Sequence, residues 1–342
     1  MHSPAPLRLA LVGAGRVAMA HLAAADRHPE LVEFVACADP STAVRTSLAE
    51  THPGVAWYPD VESLLAGGER VELAVVATPH AAHLGQIVAL ARAGIAMLVE
   101  KPVVLTAAQA REALAAVEES GVTLVAGQTR RFARDVEQAA MDVAAGDLGP
   151  LNAFAGVSLQ NLLAYTGGAA SWFMDGAIAG GGSVISHGIH IIDVIRFVSG
   201  EDVVLADAQA STGPPMFNGA DSDTAATLQL AGGAVGTLLT SYRTSPDAQR
   251  ATIDLFFDDA RLWSDSRLDD GRMHLDRGGA SAAIVDGDLP DPFETQLIHT
   301  VDRIRGNAPE RSSLRQNFNT LATIDAIARS AATGRRQPVE ER

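Results

Sequence analysis

The first third of the chain alternates short apolar runs with segments of helical spacing. Residues 9–12 (LALV), 31–38 (LVEFVACA), 72–77 (ELAVVA), 97–99 (MLV) and 122–126 (VTLVA) are apolar on both faces and rich in β-branched residues. Between them, residues 17–26, 42–51, 81–93 and 107–120 repeat apolar positions every three or four residues, and the last two stop at Gly94 and Gly121. Strands that are apolar on both faces, each followed by an amphipathic helix, predict a parallel sheet covered on both sides. Beyond residues 146–150 the period changes to two. Residues 224–230, 234–241 and 252–257 alternate in this way, with Gly232-Gly233 as a hairpin turn between the first two. This predicts a second, large, open and mostly antiparallel sheet. Its exposed face would suit self-association, so a homodimer or homotetramer through that sheet is expected. Residues 286–292 (DGDLPDP) read as a loop, and residues 318–332 as a closing helix before Gly334. The change of period falls between residues 125 and 150, giving an α/β domain over 1–128 and an α+β domain over 129–342.

Composition narrows the function classes. A chain of 342 residues is long enough for about two domains, and 47% hydrophobic with 20% charged residues belongs to a folded chain. The net charge of −15 argues against nucleic acid or an anionic membrane as partner, since both need a basic footprint. Cys37 is the one cysteine, which excludes an intramolecular disulfide and points to a reducing compartment. The first residues lack the charged and apolar regions of a signal peptide, and residues 9–12 are too short to span a membrane. A cytoplasmic protein is expected.

Gly13-Ala14-Gly15-Arg16-Val17-Ala18 follows the first strand and opens the first helix, in the pattern G-x-G-x-x-A. Gly13 suits the tight turn, Gly15 lets the backbone approach a pyrophosphate, and Ala18 permits close helix–strand packing. The helix start at Arg16 and Val17 offers N–H groups and the positive end of a dipole. Asp39 ends the second strand, 24 residues past Gly15, where a carboxylate can accept hydrogen bonds from a ribose and repel a 2′-phosphate. NAD is therefore expected over NADP. Asp39-Pro40-Ser41 also reads as a turn and cap, and Arg45 is near enough to serve a 2′-phosphate. Thr78-Pro79-His80 ends a further strand and is expected to line the cofactor, with His83 three residues on; capping is an equal role for either histidine.

Two clusters could do chemistry. Glu100-Lys101-Pro102 ends another strand, so Glu100 and Lys101 are expected at the same cofactor crevice, where Lys101 could bind a substrate oxygen. Gly180-Gly181-Gly182 precedes a helical stretch in which His187, His190 and Asp193 recur every three residues along one side. A histidine there can take a hydroxyl proton near neutral pH. The same spacing could hold a metal, but zinc helices offer histidines at i and i+4, and no metal is expected.

Taken in order, G-A-G-R-V-A, A-D-P, T-P-H-A-A-H, E-K-P and G-G-G-x-V-x-S-x-G-x-H-x-x-D resemble the Gfo/Idh/MocA family of NAD(P)-dependent oxidoreductases, and residues 221–239 resemble its sheet hairpin. The resemblance implies a Rossmann domain followed by an α+β domain, and hydride transfer between NAD and a hydroxyl or carbonyl of a sugar, sugar derivative or cyclitol. It gives Lys101 the orienting and proton-transfer role and His190 that of general base, with Asp193 behind it. It places Arg131, Phe132 and Trp172 beside the substrate. Where the family commonly has aspartate, this chain has Ser186, so His187 or Asp175 would have to support the relay. That departure keeps two alternatives open: a non-enzymatic NAD(P)-binding sensor, and an NAD-dependent glycoside-cleaving enzyme. The loops at 158–172 and 212–221 are expected to shape the substrate pocket.

Overall fold

The computed structural model describes residues 4–167, 171–214 and 216–342. The chain divides into two domains. The first contains residues up to 104, residues 108–129 and residues 291–316; the second contains residues 105–107, 130–290 and 317–342.

In the first domain six strands form one parallel sheet: β1 (Leu7–Val12), β2 (Val32–Ala38), β3 (Ala56–Tyr58), β4 (Leu73–Val76), β5 (Ala96–Glu100) and β6 (Leu124–Gly127). Their order is β3-β2-β1-β4-β5-β6, so the winding reverses between β1 and β4. Ligands bind outside the carboxyl ends of the strands at such a reversal. β4 and β5 are buried along their whole length, which is why they are apolar at every position but the last of β5, Glu100. Helices α1 (Arg16–Arg27), α2 (Thr42–Thr51), α3 (Val61–Ala66), α4 (His83–Arg92) and α5 (Ala107–Ser120) connect the strands. β3 and α3 escape the sequence pattern because three and six residues are too few to show a period.

The chain passes between the two domains more than once. Residues 291–316 return to the first domain with α10 (Pro292–Ile304), which packs on α1. Gln296 is fully buried; its Nε2 donates to the Ala126 carbonyl (3.3 Å), and its Oε1 accepts from Thr129 Oγ1 (3.4 Å). Ala126 N–H donates to the Ser312 carbonyl at 2.6 Å, so the returning segment closes the β6 edge.

The second domain is built on a nine-stranded sheet of β7 (Leu151–Leu159), β8 (Val203–Ser211), β9 (Asp223–Leu230), β10 (Val235–Ser241), β11 (Arg250–Phe257), β12 (Ala260–Asp265), β13 (His274–Arg277), β14 (Ala280–Ala283) and β15 (Gln337–Pro338). Its order is β14-β13-β12-β11-β7-β10-β9-β8-β15, antiparallel throughout except where β7 runs parallel to β10. The hairpin at Gly232-Gly233 joins β9 to β10 as the alternation predicts. Helices α6 (Arg134–Ala145), two single turns α7 (Leu162–Tyr165) and α8 (Gly176–Ala179), α9 (Ile189–Ser199) and α11 (Leu314–Thr333) complete the fold.

α9 lies on one face of the sheet. Gly156 in β7 makes this possible, since a Cβ there would stand 2.2 Å from Ile191 Cγ2. That small residue also breaks the alternation that would have marked β7 as a strand. The stretch Gly176–Ser199 is apolar enough to cross a membrane by composition, yet 72% of it is buried within the domain, as befits a core helix. On the opposite face Val235, Leu239 and Phe256 are exposed beside half-buried Ala153, Ala155 and Val157.

Gln296→Ala should remove the two buried hydrogen bonds that tie α10 to Ala126 of β6 and to Thr129 just after it. The first domain is expected to lose about 1–3 kcal/mol, read as a lower denaturation midpoint.

Candidate functional site

At the end of β1 the chain turns at Gly13, whose φ of +82° favours glycine. Any Cβ at Gly13 would also lie 2.8 Å from both the backbone N and Cγ2 of Thr78, so the turn is wedged against the end of β4. Gly13 N–H donates to the Ala38 carbonyl (2.8 Å), which fixes the turn on β2. Gly15 differs: nothing lies within 4 Å of where its Cβ would be. It caps α1, whose first turn has neither a side-chain cap nor an acidic residue. An open approach to an uncapped helix start suits a pyrophosphate. The Asp39 carboxylate accepts from Ala14 N–H through Oδ2 and from Ser41 N–H through Oδ1, both at 2.8 Å. Each oxygen keeps a second lone pair for a ribose hydroxyl. Asp39 therefore anchors the turn and keeps acceptor capacity that suits a ribose, and the residues fit NAD.

Beyond β4, Thr78 Oγ1 donates to Gln86 Oε1 (2.6 Å), Pro79 is exposed and His80 is buried. His83 is completely buried. Its Nδ1 lies 2.9 Å from the Pro102 carbonyl and its Nε2 3.0 Å from the Thr78 carbonyl, so one ring ties the loops after β4 and β5 together. Burial pushes its pKa down, against the two carbonyls that favour the charged ring. This is a fixed internal contact, distinct from the cofactor-lining position expected of His83.

Lys101 follows β5, with a cis peptide to Pro102. Burial lowers its pKa, and the neighbouring Glu100 partly restores it. Glu100 is buried too. His21 Nε2 donates to its Oε1 (2.8 Å), and the Lys101 backbone N–H to its Oε2 (3.1 Å). Burial works against ionisation of Glu100, but the hydrogen bond and charge of His21, together with Lys101, hold the carboxyl below its usual value. The Glu100 carboxylate is thus occupied inside the domain and not presented to a cofactor.

In the second domain the three glycines lead into one π-helical turn, Val184–Gly188, and only then into α9. Such turns recur at functional sites. The turn contains Ser186 and His187, and His190 begins the regular helix, so the even spacing by three does not hold at its start. His187 and His190 are half-buried, and His187 meets Tyr242 edge-on at 5.4 Å. Ser186 is buried close to Tyr242, whose hydroxyl donates to the Gly182 carbonyl (3.2 Å).

Asp193 is taken up elsewhere. Arg131 grips it with two hydrogen bonds of 2.7 Å, Thr320 Oγ1 donates to it at 3.1 Å, and both charged groups are buried. Arg131 also lies over the Phe197 ring, and Phe132 is fully buried. These residues support α9, where the sequence suggested substrate contact. Asp175 caps α8 through Ala177 N–H (2.9 Å) and accepts from Asn218 (3.2 Å). Trp172 stacks on Phe173 at 3.8 Å and stays half-buried. Of the loops expected to shape the pocket, residues 168–170 and 215 lie outside the described residues.

Three features escape the motif reading. Asp221 caps the start of the π turn, accepting from Gly182 N–H and Ser183 Oγ (both 2.7 Å) and from Val184 N–H (3.2 Å). Gly182 has to be glycine, because a Cβ would stand 1.8 Å from the Asp221 carbonyl oxygen. His21 has no motif of its own and is found only through Glu100. The third feature was in the sequence all along: of 26 basic residues other than histidine, Lys101 is the single lysine and the rest are arginine. Arginine cannot give up its proton in a protein, whereas a buried lysine can.

Residues 7–128 match the oxidoreductase family with an NAD-binding Rossmann fold, and residues 136–262 match the GFO/IDH/MocA C-terminal domain. The chain belongs to the Gfo/Idh/MocA oxidoreductase family. Over 102 residues this family member is 38% identical to the rhizopine catabolism protein MocA of Rhizobium meliloti, a match spanning 30% of this chain and 31% of that relative. The aldose-aldose oxidoreductase of Caulobacter crescentus, solved with glycerol, is 22% identical with a TM-score of 0.85 over 97% of this chain and 99% of its own. The WlbA dehydrogenase of Bordetella pertussis, solved with NADH and UDP-GlcNAcA, is 21% identical with a TM-score of 0.85 over 98% and 100%. At these identities the likeness to the solved structures is one of fold.

For this Gfo/Idh/MocA member, Asp39→Ala should weaken NADH binding by about tenfold to a hundredfold, the loss of hydrogen bonds to a charged group. NADP(H) binding should improve relative to NAD(H) in the same fluorescence titration.

Proposed function

We propose that the protein is an NAD-dependent dehydrogenase that oxidises a secondary hydroxyl of a sugar, sugar derivative or cyclitol, or reduces the matching carbonyl. The observation that carries this reading is Lys101, the single lysine of the chain, half-buried at the end of β5 in the domain that holds the NAD site. Bound NAD supplies the hydride acceptor. The Lys101 ammonium holds the substrate oxygen and favours its deprotonation. His190 accepts the hydroxyl proton as the carbon–oxygen bond becomes a carbonyl, which balances hydride and proton. The MocA relative is named for rhizopine catabolism, and the two solved relatives for an aldose-aldose oxidoreductase and a dehydrogenase crystallised with a nucleotide sugar; this supports a polyhydroxylated substrate.

NAD reduction should be screened over sugars, amino sugars, uronates and cyclitols. With the substrate so found, Lys101→Ala and His190→Ala should each lower kcat by at least ~10²-fold. Lys101→Arg, which keeps the charge but replaces a compact ammonium with a larger planar guanidinium, should also lose most of the activity. Undiminished turnover in both alanine variants would overturn the assignment. Tight NADH binding with no turnover across the whole panel would favour a sensor.

We also propose that a second copy of the chain covers the open sheet face. Its centre, from Ala153, Ala155 and Val157 to Val235 and Leu239, carries no charge, while Arg261 with Asp254 and Asp276 forms a charged rim. Leu239→Asp should shift the mass in solution to that of a monomer; light scattering that shows a monomeric parent would refute the proposal.

A further inference from the structure

We propose that His21 is a positioning residue: by keeping the Glu100 carboxylate ionised, it sets the pH at which Lys101 gives up its proton. The inference rests on the catalytic reading of Lys101 and adds the group that tunes it.

His21 sits in the middle of α1, and its Nε2 reaches Glu100 Oε1 at 2.8 Å. Its side chain is 2% exposed and that of Glu100 is 7% exposed, so water does little to support the carboxylate. A buried carboxylate without donors takes up a proton instead. Here the donors are few and named: His21 Nε2 on one oxygen, the Lys101 backbone N–H on the other. The space around the carboxylate is closed, because a Cβ at Gly127 of β6 would lie 2.8 Å from Glu100 Cα and 3.2 Å from its carboxyl carbon. His21 in turn is held by Phe293 of α10, edge-on at 5.0 Å.

The charged groups around this corner are accounted for element by element. α1 contributes His21, and α4 contributes His83, which feels the Glu100 charge while bonding the Thr78 and Pro102 carbonyls. β6 contributes Gly127 and no charge. The nearest acids of α10, Asp291 and Glu294, are paired with Arg27 and, for Glu294, also His28. Glu100 is therefore the charge that favours the ammonium form of Lys101. Removing the His21 donor should let Glu100 take up a proton, remove that charge and make Lys101 easier to deprotonate.

The composition makes the test direct. Protein carrying [ε-13C]lysine has one side-chain resonance, since the chain has one lysine. Its titration midpoint in the NAD-free protein should fall by about one unit or more in His21→Leu and in Glu100→Gln, the size of losing a close opposite charge. His21→Gln, which keeps a donor, should stay near the parent, and the Lys101 limb of the kcat profile should move with the resonance. His21→Met, equally without a donor, replaces His21→Leu if that variant does not fold. A midpoint that stays or rises in the donor-free His21 variants overturns the proposal. The titration needs no turnover. If it shifts while Lys101→Ala remains active, the coupling stands and the catalytic role of Lys101 falls; if Lys101→Ala is inactive and the midpoint does not move, His21 is merely structural.

Discussion

One constraint governs the first domain: parallel strands release the chain at the same end of the sheet. β1, β2, β4 and β5 are neighbours, and their carboxyl ends deliver Gly13, Asp39, Thr78 and Lys101 in turn. Without that common end a glycine turn, a carboxylate and a lysine from separate strands could not lie on one rim of the sheet. The loops do not depend on the sheet alone. Gly13 is bonded to β2 and wedged on Thr78, Ala14 is bonded to Asp39, and His83 joins the loops after β4 and β5. The result is a cross-linked rim in which each loop is located by its neighbour.

The second domain solves a different problem. A helix that carries one histidine and follows a π turn with another has to lie close on a sheet and still start with its backbone groups satisfied. Gly156 gives the close approach, and Asp221 gives the cap through three donors. The buried Arg131–Asp193 pair, with Thr320 as a third partner, fixes the far side of α9. Breaking such a pair leaves a charge in the core, so its value is in holding one arrangement of the helix rather than in stability for its own sake.

Histidines show how far residue type alone carries. His21, His83, His187 and His190 are alike in composition, but two are bonded inside the first domain and two lie at the start of α9. Spacing marks His187 and His190 as a pair, and it marks His80 and His83 as another. It says nothing of His21, whose partner is 79 positions away. Asp193 and Arg131 likewise share a motif neighbourhood with the reactive groups and turn out to hold each other.

The sequence by itself determined the alternation of buried strands and helices, the glycine turn with its acid at the end of β2, the hairpin of the second sheet and the single lysine at a strand end. These are local: a period, a turn or a residue type at one place suffices to specify them. Only the tertiary structure decided that residues 291–316 return to the first domain, that a π turn opens α9, that Arg131 belongs to Asp193 and that His21 belongs to Glu100. Each of these joins residues distant in the chain or shifts a helix by one residue, and burial, which makes a polar group seek a partner wherever the fold brings one, leaves no periodic trace in the sequence.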